Sequence, residues 1–146
     1  LLIMCYSGWR ISEYIGLEVN LQKKYFMGGI KTEAGKGRIV PIHSGILPLV
    51  ERRISKYGKL LPCSDKDFRK QMDELLNRLG IPGDPKHTPH DCRHTFSMLC
   101  EKYEVKENDR KRMMGHSFKA DITNKVYGHR DIEDLRKELE KIIIDL

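Results

Sequence analysis

Apolar residues recur along this chain at two different periods, and the change of period divides it into segments. Leu1-Leu2-Ile3-Met4-Cys5-Tyr6 is an almost unbroken apolar run stopped by Ser7-Gly8, and Ile11, Tyr14, Ile15 and Leu17 follow at roughly helical spacing. The pattern predicts two short helices, over residues 1–7 and 10–17, broken at Gly8. On the second, Arg10 and Glu13 share a face. From Tyr25 to Ile30 and from Arg38 to Ile42 the chain is apolar-rich and partly β-branched, and the Gly-bearing stretch from Lys31 to Gly37 joins the two runs. That is the signature of a β-hairpin.

The helical period then returns. Residues 46–57 and 65–79 read as helices, the second with Phe68, Met72, Leu75, Leu76 and Leu79 on one stripe and a stop at Gly80. Ile81-Pro82-Gly83-Asp84-Pro85 is a loop. Thr88 followed by Pro89 fits an N-cap with proline in the first helical position, opening a helix to about Tyr103 that sets His90 and Arg93 one turn apart. Residues 107–114 form a further helix closed by Gly115. A final amphipathic helix from about Asp131 gathers Ile132, Leu135, Leu139, Ile142 and Ile143 on one side. The order is mostly helices with one hairpin near the front, and no internal repeat is present.

A length of 146 residues suits one domain with one core. No run of about 18 apolar residues could span a bilayer, and no basic-then-apolar signal-peptide pattern occurs in the sequence. The four cysteines, Cys5, Cys63, Cys92 and Cys100, are scattered without a framework rhythm, so free thiols, no membrane association and a cytoplasmic location are expected. The chain opens inside an apolar segment with no initiator methionine, which reads as a fragment of a longer protein. A net charge of +6 and a pI near 9.1 suit a polyanionic partner without demanding one.

The densest chemistry is His87-Thr-Pro-His90-Asp-Cys92-Arg93-His94-Thr-Phe96, which holds three of the six histidines. A structural zinc site would need a second ligand pair across a loop, and none exists; on a helix His90 and His94 would face one way and Cys92 nearly the opposite way. No metal and no cofactor are expected. His43 and His129 read as hydrogen-bonded structural histidines.

The order of several motifs carries more than any one of them. Ser7-Gly8-Trp9-Arg10-Ile11-Ser12-Glu13, then Lys31 on a hairpin, His90-Asp91-Cys92-Arg93-His94-Thr95, Met114-Gly115-His116 and Val126-Tyr127-Gly128-His129 resemble the tyrosine recombinases, the phage-integrase family, in sequence from Arg10 to Tyr127. The resemblance implies a mainly α catalytic-domain fold with a small antiparallel β-hairpin or three-stranded sheet, residues 1–146 being that single domain without the N-terminal DNA-binding domain. It implies site-specific DNA cleavage and rejoining for integration or excision of a phage or mobile element. A Xer-like resolvase of replicon dimers and a non-enzymatic DNA-binding module keeping the fold remain the alternatives.

The roles implied are coherent chemistry. Cutting a phosphodiester without metal needs a nucleophile, cationic donors on the non-bridging oxygens, a proton acceptor and a proton donor. By resemblance, Arg10 and Arg93 clamp the phosphate, and Tyr127 attacks phosphorus to give a covalent 3′-phosphotyrosine. His90 accepts the tyrosine proton or steadies the phosphate, and His116 donates to a phosphate oxygen. Lys31 protonates the 5′ oxygen, and Glu13 orients Arg10 or the lysine loop. Lys36 shares the hairpin, but its five-residue distance from Pro41, against ten for Lys31, favours Lys31. The implied partner is double-stranded DNA in the bacterial nucleoid, bound by a tetramer of the full-length protein, with accessory DNA-bending or directionality proteins. The chain alone is expected to be monomeric, its last helix docking on its own core or on a neighbour.

Overall fold

The computed structural model describes residues 1–29, 36–116 and 131–144. Helix α1 (Leu2–Cys5) and helix α2 (Ile11–Tyr14) are single turns, shorter than the periodicity predicts. Gly8 between them has φ +67, and a Cβ there would lie 2.4 Å from Cδ1 of Phe96. Only glycine lets the backbone turn left-handed and come this close to the next layer. The helix closes at its C-cap Ile15, and of the predicted stripe Tyr14 and Leu17 are buried while Ile15 is exposed.

Strands β1 (Glu18–Asn20), β2 (Tyr25–Gly28) and β3 (Arg38–Pro41) form one antiparallel sheet in that order. Phe26 pairs with Val40 across β2 and β3, and both are fully buried. The flanking residue Ile39 points to the open face. This alternation holds the sheet by one face. The sequence locates two of these strands; β1 is three residues with one apolar side chain, too short to show a period.

A 3-10 turn (Ser44–Ile46) leads into α3 (Leu47–Tyr57), which ends at Gly58 in the left-handed conformation. In α4 (Asp65–Arg78) Ser64 caps the Asp67 N–H. Met72 is buried, but Leu79 is 63% exposed. Leu79 falls at the C-cap, where the helix has ended and its stripe no longer faces the core.

Helix α5 (Pro89–Lys102) starts as predicted: Pro89 occupies the first turn, and Thr88 and Asp91 form a reciprocal capping box. Cys92, Phe96 and Cys100, four apart, line its buried face against α1. Helix α6 (Glu107–Met114) ends at Gly115, again left-handed. The core runs through Met4, Trp9, Phe26, Val40, Phe96 and Met113.

Helix α7 (Ile132–Leu139), capped by Asp131, packs on β3 of its own domain. Leu135, Leu139 and Ile142 are buried, whereas Ile143, expected on the same stripe, is 62% exposed. The helix stops at Leu139, so its angular rule does not extend to Ile143. Polar contacts hold this segment down. The His43 imidazole hydrogen-bonds the Ile142 carbonyl at 2.8 Å, Ser44 donates its N–H and hydroxyl to Glu140, and Glu138 accepts the Lys106 N–H. His43 is thus the structural histidine expected; His129 lies outside the described residues. No described helix is long and apolar enough to cross a membrane. All four cysteines are free thiols.

Candidate functional site

Five of the residues predicted to act together fall in described segments, and three elements, α2, α5 and the end of α6, bring them together. Arg10 is the N-cap of α2. Its backbone N–H donates to Glu13 Oε2 at 3.2 Å while Glu13 caps the turn from three residues on. The arginine side chain reaches Glu13 Oε1 only at 3.4 Å and stays 26% exposed. Its guanidinium is thus only partly engaged and partly exposed.

Arg93 is built differently. It lies one turn after His90 on α5 but on the inward side, 2% exposed. Its NH1 donates to the Gly8 carbonyl at 2.6 Å and its NH2 to the Met114 carbonyl at 2.6 Å. The tight turn at Gly8 and the end of α6 therefore fix this guanidinium from two sides. Burial, then the charges of Arg10 and Arg38, pull it down to about 10, which leaves it cationic at neutral pH.

His116 follows Gly115, whose left-handed turn carries the chain off α6 toward α5. Its Nε2 is 3.0 Å from Arg93 NH2. An arginine only donates, so Nε2 accepts and the neutral ring carries its proton on Nδ1. Burial, followed by the charges of Arg93 and Arg10, lowers this histidine below its ordinary range and favours that neutral form. His90 is exposed. It meets His94 edge to face, with ring centroids 4.6 Å apart. Desolvation, then the charges of His94, Arg93 and Arg10, lowers it as well.

Glu13 touches Arg10 as expected, but its main partner is one the sequence reading missed. Arg38 donates NH1 to Glu13 Oε1 and NH2 to Glu13 Oε2, each at 3.0 Å. Its Nε donates to the Met113 carbonyl at 3.1 Å, and its guanidinium carbon sits 3.8 Å from the centroid of Trp9. Burial pushes the Glu13 carboxyl up, but the Arg38 hydrogen bonds and charge outweigh it and hold the group ionised below its usual range. The only local hint of Arg38 was a cation in a strand two residues before Val40, which is buried.

Lys31 and Tyr127 lie outside the described residues. Lys36 is exposed beside Gly37. The residues weighed for zinc do not converge: Cys92 is buried away from the exposed His90 and His94, and His87 pairs with Asp91 at 3.3 Å. Among the described residues no three His, Cys, Asp or Glu side chains are placed to share an ion. A groove of about 320 Å³ between α1, α3 and α4, lined by Ile3, Met4, Tyr14, Phe68 and Met72, holds none of the candidate residues. The candidate residues form a cationic cluster that is partly buried and partly exposed.

A partly exposed arginine, a buried one and a neutral histidine thus come together on a mainly helical fold. The chain matches the phage integrase family over residues 1–134 and belongs to it. Its fold is similar to that of an integrase from mycobacterium phage Brujita, with a TM-score of 0.67 and 14% identity. The similarity covers 97% of this chain and 50% of that one, so the chain spans about half the length of that integrase. None of the curated proteins compared matches it.

Proposed function

We propose that residues 1–146 are the catalytic domain of a site-specific DNA recombinase that integrates or excises a phage or other mobile element. The observation that carries this reading is the assembly of Arg10, Arg93 and His116 from distant parts of the chain, with Arg93 locked between the Gly8 and Met114 carbonyls. Two guanidinium forks meet two phosphate oxygens. Nδ1–H of His116 supplies a further donor as negative charge grows in the pentavalent state.

Tyr127 Oη attacks phosphorus and the bond to the 5′ oxygen breaks, leaving a 3′-phosphotyrosine. The phenol proton passes to His90, whose lowered pKa keeps it neutral and able to accept. Lys31 gives a proton to the departing 5′ oxygen. Attack by a 5′ hydroxyl on the phosphotyrosine reverses each transfer, so rejoining needs no ATP and no metal. Double-stranded DNA is the substrate. A tetramer of the full-length protein, guided by accessory bending or directionality proteins, holds two duplexes together in the nucleoid of a bacterial cytoplasm.

The test is covalent capture of the full-length protein on a nicked DNA substrate. The wild type is expected to form a DNA adduct in the presence of chelator, and Tyr127→Phe to form none while folding normally. DNA binding without an adduct would support the non-enzymatic module instead. A 5′-bridging phosphorothiolate leaves without protonation, so it should restore cleavage to Lys31→Ala; rescue of Lys36→Ala alone would move the acid to Lys36.

A further inference from the structure

Among the described residues, the proposed chemistry leaves one buried arginine unused. Arg38 is 8% exposed and Glu13 2%, and the two form a bidentate pair. The pair lies at the meeting point of β3, α2 and α6, with Trp9 stacked on the guanidinium face and Met113 accepting from its Nε. The same Glu13 oxygens are the ones Arg10 reaches: Oε1 from its side chain at 3.4 Å and Oε2 from its backbone N–H at 3.2 Å. Arg10 and Arg38 therefore compete for one carboxylate, and Arg38 holds the shorter side-chain bonds.

A buried carboxylate demands a cation. If Arg38 did not take both oxygens of Glu13, Arg10 is the guanidinium already in reach, and a two-pronged Arg10–Glu13 pair would turn its fork inward. We infer that Arg38 is a positioning residue: by occupying Glu13 it keeps the Arg10 fork free for a phosphate. This rests on the recombinase reading for what Arg10 binds, but not for the coupling between the three side chains. Trp9 and the Met113 carbonyl make the arrangement specific for arginine. A lysine has neither the planar face for the indole nor the fork for both oxygens.

The prediction separates positioning from bulk stability. Arg38→Lys should lower the single-turnover cleavage rate at saturating DNA by about tenfold to a hundredfold, the range expected when a reacting partner is misplaced by about an ångström. In an Arg10→Ala background the same change should cost less than about twofold, because the residue it acts through is gone. Multiplying penalties in the double variant, or no loss in Arg38→Lys, would overturn the inference.

A second arm needs no activity. In guanidinium NMR of the full-length protein, the Arg10 Nε–H signal should move and become protected from exchange in Arg38→Lys. It should return to its original position in Arg38→Met/Glu13→Gln, where no buried charge needs a partner and glutamine still accepts the Arg10 backbone N–H. An Arg10 signal unmoved by Arg38→Lys, or equally displaced in the double variant, would refute the coupling. Absence of any DNA adduct from the wild type would instead sink the recombinase reading, and the NMR arm would still decide on Arg38.

Discussion

Arg93 and Arg10 are expected to grip the same phosphate, yet the molecule holds them by opposite means. Around Arg93 the acceptors are neutral, the backbone carbonyls of Gly8 and Met114 and the His116 ring, and the side chain is buried. Around Arg10 the acceptor is a carboxylate shared with Arg38, and the side chain is partly exposed. Carbonyls orient a guanidinium without cancelling its charge, so Arg93 keeps its full field but depends on the packing of α1, α5 and α6. A carboxylate orients and partly neutralises, so Arg10 depends on how the negative charge is divided. One arginine is tied to the fold and the other to a charge balance.

Four measurements would break or sharpen that contrast. The largest effect is expected from Arg93→Lys. A lysine cannot span both carbonyls, so cleavage should fall on the order of 10²–10³-fold, and a carbonyl left unpaired in the interior should cost about 1–3 kcal/mol in denaturant unfolding. Wild-type stability would mean that the fold does not rest on this arginine.

Gly8→Ala attacks the same end without touching a charge. The added methyl would meet Phe96 at 2.4 Å on a left-handed backbone, for a loss of about 2–4 kcal/mol seen as a lowered Tm. Cleavage should fall with it, because the Gly8 carbonyl moves. An unchanged Tm would show that α1 and α5 can separate freely.

At the other end, Arg10→Lys should cut cleavage by about tenfold to a hundredfold through loss of the fork, with Tm nearly unchanged because the side chain is partly in solvent. A large drop in Tm would erase the distinction between the two arginines.

The smallest effect concerns protons. His90 and His116 both titrate below the ordinary histidine range, through desolvation and then their cationic neighbours. Both are neutral at pH 7, and acid adds the proton that ends acceptance at His90. The cleavage rate should therefore be flat through pH 7 and fall only below the ordinary histidine value. Arg93→Lys, which keeps a positive charge beside His116, should shift this limb little; Arg93→Ala should move it upward. A limb above the ordinary value would contradict the electrostatics of the cluster.

Much of the fold was legible in the chain. Helices α3 to α7 appear close to their predicted bounds because their signals are local: Ser64, Thr88 and Asp131 cap starts, and Gly58 and Gly115 turn the ends left-handed. The ordered motifs likewise point to Arg10, Glu13, His90, Arg93 and His116 before any coordinates. Leu79 and Ile143 were misplaced because periodicity was carried past the last helical turn. Strand β1 was unseen because three residues hold too little pattern.

What the sequence determined by itself is thus the set of local elements, the family motifs and the chemical types available to the site. Only the tertiary structure decided that Arg93 is buried between carbonyls 85 and 21 residues away. It alone paired Arg38 with Glu13 across 25 residues and anchored it to Met113 across 75. A cap or a helical stripe is settled among neighbours a few residues apart, so the chain spells it out. A buried charge is tolerable only where partners from other elements converge on it, and that convergence exists only once the elements have packed.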